Sequence, residues 1–190
     1  MAGIIPSQYH TGATPMQTRV LISFIADDRP GIVRGIAEVV AAHGGNWLES
    51  RMTYLGGKFA GIISVELPQA GVGELREALG ALDALGLVLR VEVAQEQSTT
   101  TVLTPWQLEI IGPDRMGIVH EFAAALASRQ INVVKMRSDI TSAPMSADML
   151  FTASALIHVP AAIDIDELRE QLDEIAEELT IDYSLVDANG

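Results

Sequence analysis

Apolar and polar positions follow two rhythms along this chain, and the rhythms come in the same order twice. Residues 19–26 form a short β-rich apolar run, which predicts a strand. Ile32, Ile36, Val39, Val40 and His43 then fall on one helical face. Asp28 is placed to cap that helix, its carboxylate accepting from first-turn amides. Pro30 is tolerated there because those amides have no intrahelical partner. Gly44 and Gly45 end the helix. Residues 46–55 and 58–67 are extended runs joined at Gly56-Gly57, a hairpin signal. Leu75, Leu79 and Leu82 space a second helix, and residues 87–93 close the unit as a strand. Further along, 106–111, 115–129, 132–141, 148–159, 166–179 and 181–186 repeat the order strand, helix, strand, strand, helix, strand.

The repetition is also literal. Asp28-Arg29-Pro30-Gly31-Ile32-Val33 recurs as Asp114-Arg115-Met116-Gly117-Ile118-Val119, an offset of 86 that also carries Asn46 onto Asn132 and Arg51 onto Arg137. Pro68 aligns with Pro160 at offset 92, so the second copy holds six extra residues, which fit 142–147. Glu74-Leu75-Arg76-Glu77 then matches Glu167-Leu168-Arg169-Glu170 at offset 93. The chain therefore reads as an α+β protein of two tandem ferredoxin-like βαββαβ modules. The limits are a tail over 1–17, a first module over 18–94, a polar linker over 95–104 and a second module over 105–190. In each module two helices would cover one face of an antiparallel sheet. The apolar run Ala60-Gly61-Ile62-Ile63-Ser64-Val65 fits burial on both faces. The modules are therefore expected to associate, or the protein to dimerise.

Composition narrows the chemistry. With no cysteine among 190 residues, disulfides, cysteine-zinc sites and a cysteine nucleophile are excluded. No run reaches the ~18 apolar residues of a membrane helix. Residues 1–16 lack the basic start and apolar stretch of a secretory signal, so a cytoplasmic protein is expected. The net charge is −13, and residues 161–190 hold ten acids and one base, Arg169. No block of Lys or Arg could neutralise several phosphates, which argues against direct nucleic-acid binding. The acidic end reads as a solvated helix face.

Catalytic patterns fail one by one. Gly71-Val72-Gly73 begins a GxGxxG whose third glycine position is Arg76. His120-Glu121 begins an HExxH whose second His position is Ala124. His10, His43, His120 and His158 have no ligand spacing among them, and there is no GxSxG or Walker A loop. No catalytic residue, metal site or cofactor is expected.

The repeated turn is more informative. A helix that starts at the end of a strand presents free amides and a partial positive charge, and can hold a carboxylate. Gly31 and Gly117 lack a Cβ, so a ligand or another backbone could come close. Asn46 and Asn132 offer both donor and acceptor, and Asp28 and Asp114 could accept from an ammonium group. Together these groups suit a free amino acid. A purely structural account uses the same residues: Asp as cap, Gly for helix–sheet contact, Asn at a tight turn.

The turn Asp28-Arg29-Pro30-Gly31-Ile32-Val33, its second copy, and the Gly44-Gly45-Asn46-Trp47 strand opening resemble ACT domains. These are small ferredoxin-like regulatory units that often bind amino acids. The resemblance covers roughly residues 18–94 and 105–187. It implies a ligand between paired modules, at Asp28, Gly31, Ile32 and Asn46 and at Asp114, Gly117, Ile118 and Asn132. Two such modules without a catalytic domain resemble the bacterial glycine-cleavage-system transcriptional repressor family. That resemblance implies a non-enzyme that responds to glycine or a similar amino acid and acts through a DNA-binding activator of LysR type. A regulatory, feedback subunit of an amino-acid metabolic enzyme is the alternative. Met116, in place of Pro30, and the inserted segment set the second copy apart.

Overall fold

The computed structural model describes residues 16–95, 102–142 and 148–189. Most of the expected tail, the centre of the linker and most of the insertion lie outside the described residues. The chain divides into two compact units, at residues 1–97 and 98–190. In the first, the order is β1 (Gln17–Asp27), α1 (Ile32–Ala42), β2 (Asn46–Leu55), β3 (Lys58–Pro68), α2 (Val72–Gly80) and β4 (Leu87–Val93). In the second it is β5 (Leu103–Pro113), α3 (Ile118–Ser128), β6 (Asn132–Ser142), β7 (Met149–Pro160), α4 (Ile165–Leu179) and β8 (Asp182–Asp187). Strand β5 reaches back two residues into the segment read as linker. Short 3-10 turns flank α2, and the second of them (Ala81–Leu85) takes Leu82 out of the helix.

Both sheets are fully antiparallel, in the orders β2-β3-β1-β4 and β6-β7-β5-β8. This is the expected arrangement, and the two copies agree in detail. Period-2 alternation sends Val20, Ile22, Phe24 and Ala26 of β1 into the core against Ile32, Ile36 and Val40 of α1 and Leu75 and Leu79 of α2. Leu108 and Ile110 meet Ile118, Phe122, Leu126, Leu168 and Leu172 in the same way. Arg76 Nη2 donates to the Val91 carbonyl at 3.1 Å, and Arg169 Nη2 donates to the Leu185 carbonyl at 3.4 Å. Val91 pairs with Ile22 and Leu185 with Leu108, which are equivalent by the offset of 86. Each edge strand carries one bulged residue, Leu48 in β2 and Val134 in β6, again at that offset.

Three expectations change. The helix after β1 begins at Ile32, with Gly31 as its N-cap at φ 97° and no side-chain cap, so Asp28 does not cap it. Gly117 does the same for α3 at φ 100°. Asp and Pro sit in the connecting turn, because a left-handed N-cap lets the chain turn sharply from strand to helix. Third, β3 is not covered on both faces. Ile63, Val65 and Leu67 are buried under the helices, while Ile62 on the other face is 53% exposed. At the hairpin, Gly56 (φ 59°) and Gly57 (φ 81°) form a two-residue turn of the type that needs positive φ twice.

Candidate functional site

The strand-to-helix turns are built the same way in both copies. The Asp28 N–H donates to the Gly57 carbonyl at 3.1 Å, which ties the turn to the β2–β3 hairpin. The Asp114 N–H donates to the Met149 carbonyl at 2.8 Å, at the start of β7. The Gly31 carbonyl accepts from Gly35 N–H at 2.9 Å, and the Gly117 carbonyl accepts from Glu121 N–H at 3.0 Å, closing the first helical turn. No side chain caps either helix start. By contrast, Asp164 caps α4, its carboxylate accepting from the Asp166 N–H at 2.9 Å. The starts of α1 and α3 thus offer first-turn amides with a helix dipole behind them, the setting that attracts a carboxylate.

The glycines leave that approach open. A Cβ on Gly31 or Gly117 would meet nothing within 4 Å. Positive φ, not a close neighbour, is what asks for glycine there. Ile32 and Ile118 are buried in the cores, so only their backbone amides face the turn. Asp28 and Asp114 are exposed. Beside the first turn, Lys58 pairs with Asp27, and that ammonium holds the exposed Asp27 carboxyl below its ordinary range.

Asn46 and Asn132 are not brought to these turns within a module. Asn46 pairs with Glu66, which also faces Arg19, whereas the turn follows Asp27 at the other end of β1. Asn132 pairs with His158, level with Pro105, and its turn follows Pro113. At ~3.4 Å per residue, strand geometry puts the two parts of each expected site about 27 Å apart.

A different feature escaped the sequence reading. On the face of the second sheet away from its helices lies an open concavity of about 540 Å³, bounded by Glu109, Arg137, Asp139, Thr152, Ser154 and Ser184. Gln107 Nε2 donates to Glu109 Oε1 and to Ser154 Oγ, both at 2.8 Å, and Ser154 Oγ donates to Glu109 Oε1 at 2.9 Å. Arg137 Nε pairs with Asp139 at 3.0 Å. The signal was strand alternation, which puts these residues on one face, but only the register brings Ser154 beside Glu109. Among the described residues no group of three or more His, Asp or Glu side chains is placed to hold a metal ion. No helix among them is long and apolar enough to cross a membrane.

Two sheets of the same order, each backed by two helices and each with an open-ended helix start, define a protein made of two ferredoxin-like modules. The chain belongs to the ACT-domain family, whose models match residues 18–92 and 106–177. Over 64 residues it is 44% identical to a UPF0237 protein of Methanopyrus kandleri, a match that spans 33% of this chain and 71% of that one. An unknown protein from Galdieria sulphuraria superposes with a TM-score of 0.79 at 28% identity, over 91% of this chain and 99% of its own. The crystal structure of a candidate glycine cleavage system transcriptional repressor superposes with a TM-score of 0.64, over 90% of this chain and 96% of its own. At 19% identity, that last likeness shows the fold.

Proposed function

We propose that this protein is a non-catalytic, amino-acid-responsive regulator that represses the glycine cleavage system through a DNA-binding activator of LysR type. The observation that carries the reading is the pair of helix starts after β1 and β5. Both have a glycine N-cap, no side-chain cap and open space at the glycine, 86 residues apart. Two equivalent carboxylate-attracting turns suit two equivalent ligands. The two-module architecture shared with the candidate repressor supports the transcriptional assignment.

In this reading the ligand carboxylate lies on the first-turn amides at Gly31-Ile32 and Gly117-Ile118. Asp28 and Asp114 stand beside it as acceptors for an ammonium. Asn46 and Asn132, at the far end of their own modules, contribute to a turn supplied by a second copy of the chain. The modules at 18–94 and 105–190 are the sensing units. A formal charge of −13 suits contact with a protein partner better than contact with DNA phosphates.

Calorimetric titration with a panel of free amino acids tests the sensor. Saturable binding of glycine, alanine or serine in preference to aromatic amino acids is expected, with Asn46→Ala or Asn132→Ala weakening it by about 1–3 kcal/mol. Absence of binding for the whole panel would end the sensor reading. Affinity capture from cell lysate tests the partner: a LysR-type activator supports the repressor role, and a biosynthetic enzyme would replace it with a feedback-subunit role.

A further inference from the structure

The two copies match on their helix-facing sides and differ on their open faces. On the first sheet, register puts Glu49, Ser64, Leu21 and Glu92 on one level across the strands. On the next level of the same face stand Arg51, Ile62, Ser23 and Arg90. Beyond these, Thr53, Ala60, Ile25 and Val88 form a third level. The apolar side chains of this face are open, with Leu21 37%, Ile25 47%, Ile62 53% and Val88 63% exposed, while Ser64 among them is buried. The outer strands carry a glutamate level and an arginine level side by side. Glu49 and Arg51 already approach within their own strand, at 3.8 Å.

The second sheet lacks this arrangement. Lys135 and Arg137 stand where the first sheet has Glu49 and Arg51. Ser184 and Val186 replace Arg90 and Glu92, and Gln107 and Ser154 replace Leu21 and Ile62.

We propose that the open face of the first sheet is a self-association surface whose occupant is the same face of a second copy of this chain. A half-turn about an axis lying in that face, across the strands and between the glutamate and arginine levels, carries each level onto the other. Glu49 then meets Arg51 of the second copy and Glu92 meets Arg90, each pair occurring twice. The same half-turn sets Leu21 over Ser23 and Ile62 over Ser64, so bulky side chains meet small ones. Strands of the two copies run antiparallel, which suits aligned sheet packing at about 10 Å separation. The match of charge is particular to this face against itself. A contiguous apolar strip rimmed by charge is the usual mark of such a surface.

The surface excludes Asp28, Gly31, Asp114 and Gly117, and association is read with no amino acid present, so its failure and the failure of amino-acid binding are separable. Sedimentation velocity on the full chain tests it. The wild-type chain is expected to be a dimer at micromolar concentration. The double variant Arg51→Glu, Arg90→Glu places acid on acid and is expected to weaken dimerisation at least 100-fold, as is Glu49→Arg, Glu92→Arg through opposed arginines. Circular dichroism of both variants should match wild type, because all four side chains are exposed. An equimolar mixture of the two variants is expected to restore the dimer as a heterodimer. A monomeric wild-type chain, a dimer indifferent to both variants, or a mixture that stays monomeric would overturn the proposal.

Discussion

The Cα of Ile181 stands 2.9 Å from where a Cβ on Gly112 would lie, and its Cβ 2.7 Å from that point. The equivalent pair in the first copy is Ala26 and Leu87, directly paired across β1 and β4 and both buried. One module holds a methyl group at this corner of the core, and the other has brought its last strand in against bare backbone.

Gly112→Ala is therefore expected to destabilise the second module by about 1–3 kcal/mol, because the obstruction includes backbone that cannot rotate away. Urea unfolding followed by tryptophan fluorescence measures it, since Trp106 lies in the same sheet.

Gly31→Ala and Gly117→Ala are each expected to cost about 1–2 kcal/mol, the ordinary penalty for a side chain in the left-handed region. There is no clash to add, because a methyl group meets open space at both positions. Gly31→Asn should cost less, since asparagine tolerates that conformation. Gly31→Val, which would be mild in the body of a first turn, should be the worst of the three. Thermal unfolding of the series gives the order.

Asp164→Ala removes the side-chain acceptor of the Asp166 N–H at the start of α4. A loss of about 1 kcal/mol is expected. Glu177→Gln with Glu178→Gln, both exposed at the other end of the same helix, should leave stability unchanged or raise it by a few tenths of a kcal/mol. Denaturant midpoints of the two variants should move in opposite directions or differ clearly in size.

The Tyr183 hydroxyl donates to Asp173 at 2.7 Å and to the Arg169 carbonyl at 3.1 Å. Burial, then the Asp173 hydrogen bond and charge, push its pKa up to about 12. Because the folded value is raised above the unfolded value of ~10, this contribution to stability is complete below pH 10. It is lost as pH rises toward 12. Absorbance titration near 295 nm should show one phenol of the chain's three ionising late, and Tyr183→Phe should remove that phase.

Elements and repeat were legible because burial on one side writes itself into sequence as period 2 or 3.6. The 86-residue offset survives in the bulges at Leu48 and Val134 and in the matched Arg76 and Arg169 bonds. The helix start was misplaced by three residues. Asp28 and Pro30 are ordinary helix-start residues, and nothing in their chemistry says that Gly31 will take a left-handed conformation. Candidate site residues could be named from the sequence, but not where each of them stands. Asn46 follows the turn closely in sequence, yet α1 carries the chain back along the strand before β2 begins. The open sides of the sheets were likewise unreadable, since alternation tells which residues share a face and not whether anything lies against it.

Two copies of one module in a single chain could exchange equivalent strands while folding, a known hazard of repeats. The hairpins differ at the point where that choice is made. Leu55 and Lys58 are joined through only Gly56 and Gly57, in a turn whose twist suits the strands it connects. Such a hairpin closes within about 1–10 μs, well before distant segments meet. The first sheet can thus commit its own β2 and β3 to each other before the second copy offers a competing strand. The pair of glycines sets the order of assembly as well as the shape of a turn.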